Sequence, residues 1–146
     1  MELLCIGDLH LGRSPARASA AVEDVAAAAL GPRAAWLRCI EYAIERGVAA
    51  VVLTGDLVEH PRDRYEAFSD LKQGVERLRA AGIEVVAVAG NHDHEVLPEL
   101  AAAIDGLTLL GADGHWAAHV IRGADAGIEL VGWSFRGERA GSPLEH

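Results

Sequence analysis

Apolar and polar positions along this chain fall into two periodicities. Short, nearly continuous apolar runs cover 2–7, 49–54 and 83–89, rich in Leu, Ile and Val. They are too short for helices and read as buried strands. Between them the apolar residues recur at helical spacing. Over 32–47, Leu37, Ile40 and Ile44 form a stripe with Trp36 and Ala43 beside it. Pro32 suits the first helical position there and Gly47 the stop. Over 65–80 the stripe is Phe68, Leu71, Val75 and Leu78, interrupted by Gly74 at a cost of about 1 kcal/mol relative to alanine. Over 95–104 it is Leu97, Leu100 and Ile104, with Pro98 in the first turn. An alanine-rich stretch, 16–30, is read as a helix with a weak apolar face. After 104 the pattern changes to strands: a short one over 107–110, then 116–121 and 128–133 around a Gly-Ala-Asp-Ala-Gly turn.

Strands alternating with helices predict a parallel sheet with crossover helices, followed by a hairpin. No internal repeat or low-complexity linker divides the chain, so 146 residues read as one domain. No run approaches the roughly 20 apolar residues needed to span a bilayer. Met1 leads directly into a strand rather than a signal peptide, which predicts a cytoplasmic protein without membrane contact. Cys5 and Cys39, far apart and in no paired-cysteine motif, read as reduced core thiols. The formal net charge of −9 argues against broad electrostatic capture of nucleic acid, although a local basic patch is compatible with it.

Candidate chemistry appears where the three parallel strands end. Each apolar run is followed by a glycine and an oxygen-bearing side chain: Gly7-Asp8 leading to His10, Gly55-Asp56, and Gly90-Asn91-His92-Asp93. Taken singly, each residue is ordinary turn chemistry. Taken together, three strand ends at one sheet edge bring carboxylate, amide and imidazole donors into one place, a favoured ligand position in α/β folds. This mixed donor set suits Mn²⁺, Fe²⁺ or Zn²⁺ better than Ca²⁺. Asp56 has two oxygens and could bridge two cations, and His92 could protonate a leaving alkoxide with Asp93 orienting its ring.

Asp8-Leu9-His10, Gly55-Asp56 and Gly90-Asn91-His92-Asp93, in this order and spacing, resemble the first three motifs of the calcineurin-like metallophosphoesterases. Asp8-Leu9-His10-Leu11-Gly12, Ala35-Trp36 and Gly132-Trp133-Ser134-Phe135 resemble the DNA-repair exonuclease branch, the SbcD-like nuclease subunits. The resemblance implies an α/β fold: two mixed β-sheets flanked by helices, in α/β/β/α layers. It also implies a dinuclear centre, manganese before iron or zinc, that hydrolyses phosphoesters. Carried over, Asp8 and His10 bind the first ion, Asp56 bridges and Asn91 binds the second. His92 is the acid or phosphate-stabilising residue, and Asp93 its partner. The implied partners are a phosphoester substrate such as DNA and an ATPase subunit.

The family pattern continues with a histidine after a later strand and a Gly-His-x-His motif, and neither is found here. Gly114-His115-Trp116-Ala117 is not that motif, so the second ion keeps only Asp56 and Asn91. The fold expected is therefore one without its C-terminal part. Residues 1–143 read as the domain. Leu144-Glu145-His146 reads either as the junction of a purification tag or as native chain. Two rival functions stay open: a non-catalytic interaction module on the same fold, and a general nucleotide phosphodiesterase.

Overall fold

The computed structural model describes residues 1–12, 31–59, 61–123, 126–137 and 139. The helix expected over 16–30 and the 144–146 tail lie outside the described residues. Strands β1 (Leu3–Ile6), β2 (Ala50–Leu53), β3 (Glu84–Ala87) and β4 (Leu107–Leu109) form a parallel sheet in the order β1-β2-β3-β4. Helices α1 (Pro32–Arg46), α2 (Arg64–Ala80) and α3 (Val96–Ala103) alternate with them, and a short 3₁₀ turn, Pro61–Asp63, precedes α2. Strands β5 (Ala117–Arg122) and β6 (Gly127–Gly132) form a separate antiparallel hairpin. The expected α/β architecture is thus present, as one four-stranded parallel sheet and one two-stranded antiparallel sheet among the described residues, where two mixed sheets were expected.

Side-chain alternation assigns the two faces of the parallel sheet. Ile6, Val51, Leu53, Val85 and Ala87 join the buried residues of the three helices in one core. Ala50, Val86 and Leu110 face the other way and meet Ile121 of the hairpin, with Val88, Ala117 and Leu130 packed alongside. No described helix is long and apolar enough to cross a membrane.

Several expectations shift in detail. The buried face of α1 is Trp36, Ile40 and Ala43, whereas Ile44 is 37% exposed. Trp36 sets this rotation: its indole N–H donates to the Asp70 carbonyl on α2 at 3.0 Å. A Cβ on Gly74 would stand 2.4 Å from the same indole nitrogen, so the glycine makes room for the ring. Cys5 is not a core thiol but exposed, because β1 is an edge strand. Cys39 is half-buried, and that burial pushes its thiol pKa up. Trp116, placed by the apolar pattern at the start of the 116–121 strand, precedes β5 and is 43% exposed.

Candidate metal centre

The chain leaving β1 keeps its alternation after the strand ends. Leu9 and Leu11 are buried, which turns Asp8 and His10 to the opposite side. This segment lies along the one leaving β2. The Asp8 amide donates to the Gly55 carbonyl at 3.1 Å, that of His10 to Asp56 at 3.0 Å and that of Leu11 to Leu57 at 2.6 Å. Asp8, His10 and Asp56 have φ of 61°, 49° and 53°, and no other described non-glycine residue has a positive φ. Left-handed backbone costs an L-residue roughly 1–2 kcal/mol, less for aspartate. Three such residues at one sheet edge mark a place where geometry is imposed.

The segment after β3 closes on the same edge. A Cβ on Gly90 would fall 2.2 Å from Asp56 Oδ1, and one on Gly55 would fall 2.9 Å from the Gly90 backbone. The close approach therefore requires glycine at both positions. It lets the His92 amide donate to Asp56 Oδ1 at 3.1 Å. The His92 ring stands edge-on to His10, with ring centroids 5.4 Å apart. Asn91 follows Gly90 at this edge, and His94 Nδ1 donates to its carbonyl at 3.0 Å.

Asp93 does something other than orient His92. It is fully buried, and its two oxygens accept backbone N–H bonds from Leu57 and Gly90, each at 2.7 Å. The carboxylate ties the loop after β2 to the loop after β3, and its hydrogen bonds go to these backbone amides rather than to the His92 ring. Burial is the largest influence on its pKa and raises it; the Asp56 charge adds to this, while the backbone donors oppose it.

His10 is held from both sides. Nε2 lies 2.7 Å from Asp8 Oδ1, and Nδ1 lies 2.5 Å from Glu59 Oε2. Sequence reasoning passed over Glu59. The signal was an acid directly after the apolar pair Leu57-Val58, where Val58 pairs with Leu11 beside His10. Ser134, singled out in the sequence only as part of a branch motif, has a structural role: its fully buried Oγ accepts from the Ala89 amide at 2.9 Å and donates to the Leu110 carbonyl at 2.5 Å.

The donors at this edge fit a divalent cation in type, and Asp8 with His10 forms one pre-set pair. Among the described residues, no three His, Cys, Asp or Glu side chains are gathered closely enough to enclose an ion by themselves. Carboxylate, imidazole and amide donors on loops after parallel strands stand at a favoured ligand position in α/β folds.

Residues 1–128 match the Calcineurin-like phosphoesterase family, and the chain belongs to it. Members of this family act on phosphoesters and generally use two divalent metal ions. The chain is similar to the DNA double-strand break repair protein Mre11 of Methanopyrus kandleri, 31% identical over 93 residues, or 64% of this chain and 19% of the relative. It is 40% identical over 55 residues to the uncharacterized metallophosphoesterase YhaO of Bacillus subtilis, covering 38% of this chain and 14% of that one. The chain thus spans less than a fifth of either curated relative. The Pseudomonas putida nuclease MPE structure aligns over 74% of this chain and 46% of its own, with a TM-score of 0.48 and 17% identity.

Proposed function

We propose that this chain carries the first three loops of a divalent-metal phosphodiesterase site, with nucleic acid as the substrate class. The carrying observation is that Asp8, His10 and Asp56 share one sheet edge and are the only described non-glycine residues at positive φ. Asp8 and His10 would hold a first ion, Asp56 would bridge, and Asn91 would bind a second. Such ions neutralise phosphate oxygens and lower the pKa of a bound water. Manganese is the first choice, with iron or zinc as alternatives. His92 is exposed and edge-on to His10, which suits a group that stabilises the phosphate or protonates the leaving oxygen. The similarity to a DNA double-strand break repair protein, Mre11 of Methanopyrus kandleri, supports a role in DNA repair; an ATPase partner subunit is proposed on the motif resemblance alone. The net charge of −9 fits a small nucleotide diester more readily than a long duplex.

The test is hydrolysis of bis(4-nitrophenyl) phosphate and of an end-labelled DNA strand, each with and without manganese. Manganese-dependent turnover that Asp56→Asn abolishes is the expected result. Turnover indifferent to Asp56→Asn would discard this site. A second reading, a non-catalytic interaction module on the same fold, is favoured by the absence of a three-group metal cluster among the described residues. It predicts neither turnover nor manganese binding.

A further inference from the structure

We propose that His94 is a positioning residue of the candidate metal centre, clamping the Asn91–His92 peptide so that the His92 amide meets the Asp56 carboxylate. This rests on the metal reading of the site and concerns a residue that the three-loop motifs leave out. A trans peptide is one rigid plane running from one Cα to the next, with its C=O and N–H pointing in opposite directions. Fixing either group therefore aims the other. In the plane between Asn91 and His92 both groups are taken. The Asn91 carbonyl accepts from His94 Nδ1 at 3.0 Å, and the His92 N–H donates to Asp56 Oδ1 at 3.1 Å. A carbonyl oxygen can only accept, so this contact makes Nδ1 a protonated nitrogen of the ring. A peptide that accepts at its oxygen is also a stronger donor at its nitrogen, since successive hydrogen bonds polarise one another. One line of contacts thus runs from the His94 ring, through the plane, to the carboxylate assigned as the bridge. The same plane contains the Cα atoms of Asn91 and His92, the second-ion donor and the candidate acid, and holds them as one unit.

The ring is mounted where it can do this. The His94 side chain is only 14% exposed. Just before it, Asp93 takes the Leu57 and Gly90 amides with its carboxylate and the Val96 and Leu97 amides with its carbonyl. Just after it, Val96 and Leu97 are buried in the core at the start of α3. The backbone that carries His94 is therefore held on both sides of the ring. The other ring nitrogen, Nε2, lies 3.8 Å from Glu95 Oε1, too far for a hydrogen bond, and the Glu95 side chain is 70% exposed. The contact that sets the ring is the one to Asn91.

The experiment uses the whole chain and reads metal binding and resonances, without reference to activity. His94→Leu removes the donor. His94→Asn restores one, because the asparagine Nδ2 stands near the place of the histidine Nδ1. Free Mn²⁺ is titrated by electron paramagnetic resonance. In His94→Leu the affinity should fall by about threefold to tenfold, less than the usual cost of losing a ligand's direct outer partner, because the ring acts at one remove. His94→Asn should recover most of it. In metal-free protein the Asn91 carbonyl ¹³C and His92 amide ¹H resonances should move together in His94→Leu and return in His94→Asn. Long-range ¹H–¹⁵N correlation on the wild type should show His94 with Nδ1 protonated. If circular dichroism shows His94→Leu unfolded, His94→Ala, which adds no bulk, carries the same comparison. An unprotonated Nδ1, or wild-type Mn²⁺ affinity in the folded variant, would overturn this role while leaving the metal reading intact. A loss that His94→Asn does not restore would overturn it too, since the ring would then serve packing alone. No Mn²⁺ binding by the wild type would overturn both.

Discussion

Asp8 is the residue at which backbone and side chain disagree most openly. Its φ of 61° is unfavourable for any residue with a Cβ, and its side chain is 83% exposed, so packing does not explain its presence. Glycine at this position relieves roughly 1–2 kcal/mol of left-handed strain, less in practice for aspartate, and gives back about 0.5–1 kcal/mol in chain entropy. Asp8→Gly should therefore leave the thermal midpoint in EDTA unchanged or slightly raised, while Mn²⁺ binding falls sharply. A large drop in that midpoint would mean that Asp8 serves the fold instead. The two thiols give a second test at this scale. Cys5 is exposed, whereas burial raises the Cys39 pKa, so at pH 8 less of Cys39 is the reactive thiolate. Iodoacetamide labelling followed by peptide mass analysis should modify Cys5 several times faster, and equal rates would contradict the burial of Cys39.

The contact between α1 and α2 sets two helix-scale effects against each other. Gly74→Ala improves intrinsic helix propensity by about 0.8–1 kcal/mol. The added methyl would stand 2.4–2.5 Å from three atoms of the Trp36 indole, and overpacking of that kind costs typically about 1–3 kcal/mol. Overpacking should win, with Gly74→Ala lowering stability in urea denaturation. In a Trp36→Leu background the same change should become neutral or stabilising. A cycle with no coupling between the two sites would remove this explanation. Helix existence was legible in the sequence because the 3.6-residue period of α2 and α3 leaves little choice: Leu71, Val75, Leu78, Leu97 and Leu100 are all buried as expected. The rotation of α1 was not legible. It depends on one indole hydrogen bond to another helix and on a hole in that helix, and neither leaves a trace in the local pattern. The three strand-end loops were legible for a related reason. The pairs Gly7-Asp8, Gly55-Asp56 and Gly90-Asn91 encode both the sharp turn and an oxygen donor, so their convergence followed once the strands were taken as parallel. The function of Asp93 was not legible, because a carboxylate next to histidine reads as its partner until the amides of Leu57 and Gly90 are seen to occupy both oxygens.

At the scale of the whole molecule, the question is what joins the hairpin to the parallel sheet beneath the candidate centre. The apolar contact between the two layers is small, with Val86, Leu110 and Ile121 at its heart. Much of the connection is instead made by backbone just beyond β6. The Phe135 amide donates to the Ala89 carbonyl at 3.0 Å and the Ser134 amide to the Gly111 carbonyl at 3.3 Å. Ser134 Oγ links the ends of two neighbouring parallel strands, joining Ala89 after β3 to Leu110 after β4. Hydrophobic periodicity carries no information about such a joint, which is why the hairpin could be foreseen but not its seat. The Ser134 joint also bears on the site, since Ala89 immediately precedes Gly90. Ser134→Ala leaves a buried amide and a buried carbonyl without this partner, a loss of about 1–3 kcal/mol for such a group. Amide hydrogen exchange locates the effect: Ala89 and Gly90 should lose protection well before Val51 or Leu53 in the middle of β2. Manganese affinity should weaken with them, because Gly90 sets the approach of Asp56 and of the chain carrying Asn91. Uniform loss of protection across both sheets would show instead that Ser134 supports global stability, and unchanged exchange at Ala89 would show that the joint contributes nothing.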